Sequence, residues 1–199
     1  MSAGERPFAK LLVLDLDETL IHARDRDAPP LPWPPQRQVA RYGVHLRPGV
    51  REFMATVLER FVGVGIWTSA STEYATAMLE RIVDRRRLRF IFARDRCAQI
   101  WDADGEQTYW RKDIRELDGF GFDPQGILVV DDKPRGLERS RANLVPVRPF
   151  RGDPDDLELW RLRQYLEQLG PLEDVRAVDK RCWWAQFEDD VDVDLDLES

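Results

Sequence analysis

Apolar residues fall along this chain in two rhythms. Short apolar runs stand at Leu11–Leu14, Val62–Trp67, Phe90–Phe92, Ile127–Val130 and Leu144–Val147. Runs of this length predict strands of a parallel sheet, buried on both faces. Between them apolar residues recur three and four apart. Val50, Phe53, Met54, Val57, Leu58 and Phe61 predict a helix opened by Pro48 at its favoured first position. Tyr74, Ala75, Met78, Leu79 and Ile82 predict a second helix, with Ser71 as its N-cap. A third, carrying Leu157, Trp160, Leu162, Leu166 and Leu169, is expected to start at Asp153-Pro154, and a last one near Glu173. Ile100–Trp110, with Asp104-Gly105 in its middle, predicts a hairpin. Ala28–Pro35 reads APPLPWPP and predicts a loop or extended segment. Strands alternating with helices imply an α/β fold around a mostly parallel sheet, which binds ligands at the carboxyl ends of its strands.

Composition adds a few limits. A chain of 199 residues, 43% hydrophobic and 34% charged, suits one soluble domain. No apolar run approaches the roughly 18–20 residues of a membrane helix, and MSAGERPFAK lacks the apolar stretch of a secretory signal. Cys97 and Cys182 stand far apart and read as free thiols of a reducing compartment, so a cytoplasmic location is expected. The stretch EDDVDVDLDLES at 188–199 holds seven acids, enough to account for the whole net charge of -7. It reads as a solvated acidic tail, with an added edge strand as the alternative. The expected organisation is one domain over 1–187, with a Pro-rich insertion at 24–42, a hairpin insertion at 98–110, and the tail.

The chemistry lies where strands end. Asp15–Thr19 follows the first run, Thr68–Ser71 the second, and Asp131-Asp132 the fourth, with Lys112 just before that strand. Clustered aspartates are natural ligands of a hard cation such as Mg²⁺, which commonly keeps waters and phosphate oxygens as further ligands. A carboxylate can also be a nucleophile. A second acid two residues on can protonate a leaving oxygen and then activate water.

The order of these parts, DxDxT, then Thr, then Lys, then DD, resembles the haloacid dehalogenase (HAD) superfamily of phosphohydrolases. DLDETLIH at 15–22 is similar to the first motif of the FCP/SCP-type small CTD phosphatases, the NLI-interacting-factor-like branch. WTSASTEYA at 67–75, RDRC at 94–97, YWRKDI at 109–114 and VVDDKP at 129–134 stand in order for its later motifs. The resemblance covers roughly residues 8 to 180. It implies a HAD-like three-layer fold with small insertions and no large cap domain. It further implies Asp15 as nucleophile and metal ligand, and Asp17 as general acid/base with its backbone carbonyl on Mg²⁺. Thr68 and Lys112 would hold the phosphoryl group, and Asp131 and Asp132 would complete the metal site. Thr19 would brace the loop, grouped with Ser69, Arg94 and Lys133 as phosphate- or substrate-binding residues. Lys133 departs from the family, which usually has Ser there, and the segment between Cys97 and Lys112 is longer than the family's.

The expected function is a Mg²⁺-dependent phosphomonoesterase working through an aspartyl-phosphate, with a phosphorylated protein or peptide as substrate. The alternatives are a phosphatase for nucleic-acid ends or a small metabolite, with nucleic acid as a possible partner, or a non-catalytic binding protein of this fold. His22 is read as a hydrogen-bonded structural residue, Trp183-Trp184 as packing, and the arginines of Arg81–Arg89 as a solvated helix end.

Overall fold

The structure, a computed structural model, describes residues 7–103 and 105–187; the acidic tail lies outside them. Five parallel strands make the central sheet: β1 (Phe8–Leu14), β5 (Phe61–Trp67), β6 (Ile91–Phe92), β9 (Ile127–Asp131) and β10 (Leu144–Pro146). Their order is β10-β9-β1-β5-β6, which puts β1 in the middle. Leu14 pairs with Ile66 on one side and Val130 on the other, so the three central strands end level. Leu11 to Leu14 are fully buried. Because alternate strand residues face opposite ways, Leu12 and Leu14 enter one core and Leu11 and Val13 the other. The first core takes in α1 (Val50–Arg60), α2 (Thr72–Leu79) and α3 (Glu158–Leu169). The second is built on Trp67, Phe90, Phe92, Leu117 and Leu137. The result is a three-layer α/β fold. Among the described residues no helix is long and apolar enough to cross a membrane.

The helices differ from expectation at their ends. Pro48 lies ahead of α1, because Gly49 in the left-handed region (φ 73°) turns the chain into it. Phe61 opens β5 rather than closing α1. Ser71 caps α2, its hydroxyl accepting from the Tyr74 amide at 3.2 Å. α3 starts at Glu158, not at Asp153-Pro154. Asp153 instead turns its carboxylate onto the Asp155 amide, and Asp156 does the same for Glu158 at the true start. The helix expected near Glu173 is replaced by two short 3₁₀ turns, Val175–Ala177 and Trp183–Phe187. There Asp174 and Asp179 each accept the amide two residues on, a local bond that competes with helix formation. Trp183 stacks on Tyr165 at 5.2 Å and donates its indole N–H to the Pro146 carbonyl at 2.5 Å.

Two smaller sheets flank the strand ends. β2 (Ile21–Asp25), β3 (Arg37–Val39) and β4 (Tyr42–Leu46) form an antiparallel sheet in the order β2-β4-β3, with the Pro-rich loop between β2 and β3. β7 (Ala98–Asp102) and β8 (Gln107–Arg111) form a hairpin. Arg47, 1% exposed, ties this periphery to the core. Its guanidinium grips Asp156 through two bonds of 2.8 and 2.9 Å and donates to the carbonyls of Thr19 and Arg148.

Candidate active site

β1, β5 and β9 deliver Asp15, Thr68 and Asp131 to one edge of the sheet. Asp15 continues the ladder, its amide donating to the Val130 carbonyl at 2.9 Å. The chain then turns sharply, with Glu18 at φ 61° and its amide bonded to the Ile21 carbonyl. This turn brings Asp17 back over the same pocket, which is also lined by Thr68, Ser69, Trp110, Lys112 and Lys133.

At the centre the Lys112 ammonium donates to Asp15 Oδ1 at 2.5 Å and Asp131 Oδ2 at 2.6 Å, all three residues being buried. Burial pushes the Asp15 carboxyl up to about 7, against the pull of Lys112 and with a further push from Asp131. Burial opposes the Lys112 ammonium, but the two carboxylates outweigh it and raise its pKa. Asp132 is pushed up to about 6, again chiefly by burial. Carboxylate oxygens of Asp15, Asp131 and Asp132 lie within 4.8 Å of one another. Asp132 Oδ1 is buried and accepts no hydrogen bond. The Lys133 ammonium stands 3.8 Å from that oxygen, beyond hydrogen-bond reach, and a buried acceptor with no hydrogen bond, facing two more carboxylates, is a donor set that fits a hard divalent cation with oxygen ligands. The Asp17 carboxylate is not in this cluster.

Asp17 is engaged elsewhere. Tyr74 donates its hydroxyl to Asp17 Oδ1 at 2.5 Å, and Thr68 donates to Oδ2 at 3.4 Å. Burial raises the Asp17 carboxyl and the Tyr74 hydroxyl pulls it back. Thr19 is fully buried beneath Asp15 and donates to its Oδ2 at 3.3 Å, so it braces the loop and does not line the pocket. Ser69 is on the wall, and its carbonyl accepts from Arg94 Nε at 2.7 Å. Arg94 lies over the Trp110 ring at 5.3 Å and lines an adjoining groove with Tyr42, Ser71 and Tyr74. Lys133 donates its amide to Asp131 Oδ1 at 2.7 Å and its ammonium to Glu18 Oε2 at 3.1 Å. Glu18 in turn meets His22 Nδ1 at 3.4 Å.

Two residues of this site escaped the sequence reading. Tyr74 was read only as a core position of α2; its place inside the quoted WTSASTEYA motif was the available signal. Glu18 lies in the Asp15–Thr19 cluster, and its partners are His22, four residues on in the same motif, and Lys133 of the VVDDKP motif.

The sequence profile of the NLI interacting factor-like phosphatases matches residues 10–176. A CTD small phosphatase-like protein 2 of Dictyostelium discoideum is 30% identical over 169 residues, covering 83% of this chain and 28% of that protein. A CTD nuclear envelope phosphatase 1 homolog of Caenorhabditis elegans is 30% identical over 186 residues, covering 86% of this chain and 71% of its own. The chain spans between about a quarter and a half of the length of the first curated relatives it matches. Among solved structures, a fission yeast RNA polymerase II CTD phosphatase bound to beryllium fluoride shares the fold, with a TM-score of 0.60 and 17% identity over 92% of this chain and 65% of its own. With the profile matched over most of its length, and relatives named CTD phosphatases at 30% identity, the chain belongs to the NLI interacting factor-like phosphatase family, the FCP/SCP branch of the HAD superfamily.

Proposed function

We propose that this chain is a Mg²⁺-dependent phosphomonoesterase that works through an aspartyl-phosphate on Asp15, with a phosphorylated protein side chain, Ser/Thr before Tyr, as substrate. The observation that carries the reading is the convergence of Asp15, Asp17, Thr68 and Lys112, from three separate segments, on one pocket. Asp15 attacks phosphorus, forming a carboxylate O–P bond as the ester P–O bond breaks. Asp17 lies across the pocket, and burial raises its carboxyl, which favours a proton available for the departing alkoxide. The Asp17 carboxylate then takes a proton from water, whose oxygen attacks the acyl-phosphate; inorganic phosphate leaves and Asp15 is regenerated. Lys112 and Thr68 supply a cation and a hydroxyl for the phosphoryl oxygens. Asp15, Asp131 and Asp132, with the Asp17 carbonyl, would hold Mg²⁺, which when bound supplies positive charge against phosphate and keeps Asp15 ionised. The relatives are named CTD phosphatases, which supports a protein substrate.

The test is hydrolysis of p-nitrophenyl phosphate with Mg²⁺ or EDTA, by wild type and Asp15→Asn. Turnover that needs metal and vanishes in the variant is expected. Full activity in Asp15→Asn would remove the nucleophile, and a preference for phosphorylated oligonucleotides or phosphosugars over phosphopeptides would remove the substrate class.

A further inference from the structure

The β7–β8 hairpin has two unlike faces. Cross-strand partners share a face, and the register pairs Gln99 with Trp110 and Trp101 with Thr108. Gln99, Trp101, Thr108 and Trp110 therefore lie on one side, and Ile100, Asp102, Tyr109 and Arg111 on the other.

The second face is pinned to the turn that follows Asp131-Asp132. Tyr109 donates its hydroxyl to Glu138 at 2.8 Å, and Arg111 reaches the same carboxylate at 3.4 Å. Arg135 lies over the Tyr109 ring at 4.5 Å and pairs with Asp102. At the base, Lys112 donates its amide to the Gly136 carbonyl at 2.8 Å. The hairpin is thus a braced wall of the pocket.

The first face is open. Trp110 lines the catalytic pocket, and Trp101, its diagonal neighbour one step toward the hairpin tip, is 63% exposed. Diagonal pairs stand about 7–8 Å apart, within reach of two indoles. Arg94 backs Trp110, and Trp101 has no packing role among the described residues that would explain its size. The Asp102 carboxylate belongs to the braced face, where Arg135 neutralises it, so what the open face offers a ligand is indole surface beside the catalytic pocket.

Resting on the phosphatase reading above, we infer that Trp110 and Trp101 form a shelf that selects phosphopeptides carrying an aromatic residue beside the phosphorylated one. The phosphoryl group sits among Asp15, Thr68 and Lys112, and the flanking ring lies along the shelf as the peptide leaves the pocket.

The experiment compares kcat/KM for two phosphopeptides, one with Phe and one with Ala at each flanking position in turn, against p-nitrophenyl phosphate, in wild type, Trp101→Ala and Trp101→Phe. Binding of the same peptides to Asp15→Asn and to Asp15→Asn/Trp101→Ala is measured alongside. Ring stacking predicts a threefold to tenfold preference for the Phe peptide on one side of the phosphoresidue, lost in Trp101→Ala and largely kept in Trp101→Phe, in both kcat/KM and Kd. Equal peptide-to-p-nitrophenyl phosphate ratios in wild type and Trp101→Ala would overturn the shelf while leaving the phosphatase standing. No hydrolysis of any phosphoester by wild type would overturn the phosphatase reading instead. Faster turnover of phosphorylated oligonucleotides, weakened by Trp101→Ala, would give the shelf to a nucleobase and overturn the peptide.

Discussion

Tyr74 holds Asp17: the phenol of α2 donates to the carboxylate at 2.5 Å, across 57 positions of sequence. That bond favours the ionised form and offsets part of the burial that raises the Asp17 carboxyl. Tyr74→Phe is expected to raise that carboxyl further. A general base must be ionised, so the acidic limb of the kcat profile should move to higher pH, with a fall in kcat of about tenfold, the scale of one hydrogen bond to a charged group. A pH profile superimposable on wild type would remove Tyr74 from the proton relay.

Lys112 stands between two buried carboxylates, and its loss leaves both without a counter-charge. Lys112→Met should abolish phosphatase activity and destabilise the metal-free protein by about 3–5 kcal/mol at pH 8, the usual cost of breaking a buried ion pair. The deficit should shrink at pH 5, where the carboxyls can take up protons. Urea unfolding at the two pH values measures it; equal deficits would show that the lysine acts only through its shape.

The metal-free site carries its own pH dependence. Asp15 titrates at about 7 and Asp132 at about 6 in the folded protein, against 3.8 for an ordinary aspartate. The folded state therefore holds more protons than the unfolded one between about pH 4 and 7. Stability from these groups is present below pH 4 and lost as pH rises through 6 and 7. Thermal unfolding in EDTA should show a falling contribution across that window. Mg²⁺ needs the carboxylates ionised, so the rise in Tm on adding it should grow from pH 5 to pH 8. Parallel melting curves with and without metal would count against a cation at Asp15, Asp131 and Asp132.

Arg47 makes a two-bond fork to Asp156 and donates to two carbonyls, one of them in the catalytic loop. A lysine cannot reproduce that geometry. Arg47→Lys should cost about 2–4 kcal/mol of stability although no substrate reaches this residue. A loss below about 0.5 kcal/mol, typical of exposed pairs, would show the fork to be incidental.

Much of the central sheet was legible because its strands are buried on both faces and therefore written as unbroken apolar runs. β2, β3 and β4 were not, since IHARD, RQV and YGVHL neither alternate cleanly nor run apolar, and prolines crowd the loop between them. Helix boundaries failed where Asp side chains took nearby amides, at Asp153, Asp174 and Asp179. The pocket could be anticipated as far as strand ends carry it, to Asp15, Thr68 and Asp131. Thr19 was placed among phosphate-binding residues because a motif does not say which hydroxyl faces inward. The Tyr74–Asp17 and Lys133–Glu18 contacts join residues that no sequence interval links.

β1 has a hydrogen-bonded neighbour strand on each side, while among the described residues β7 and β8 pair only with each other and are held to the body by side chains of one face. Asp15 thus hangs from the part of the molecule whose amides should exchange last with solvent, and Trp101 from a part whose amides should exchange early. The proposed nucleophile and the proposed shelf sit on separately hydrogen-bonded sheets. Exchanging the outer part of the hairpin, short of Trp110 and Lys112, would then leave the central sheet unbroken, so that substrate preference can change without disturbing the strand that carries Asp15.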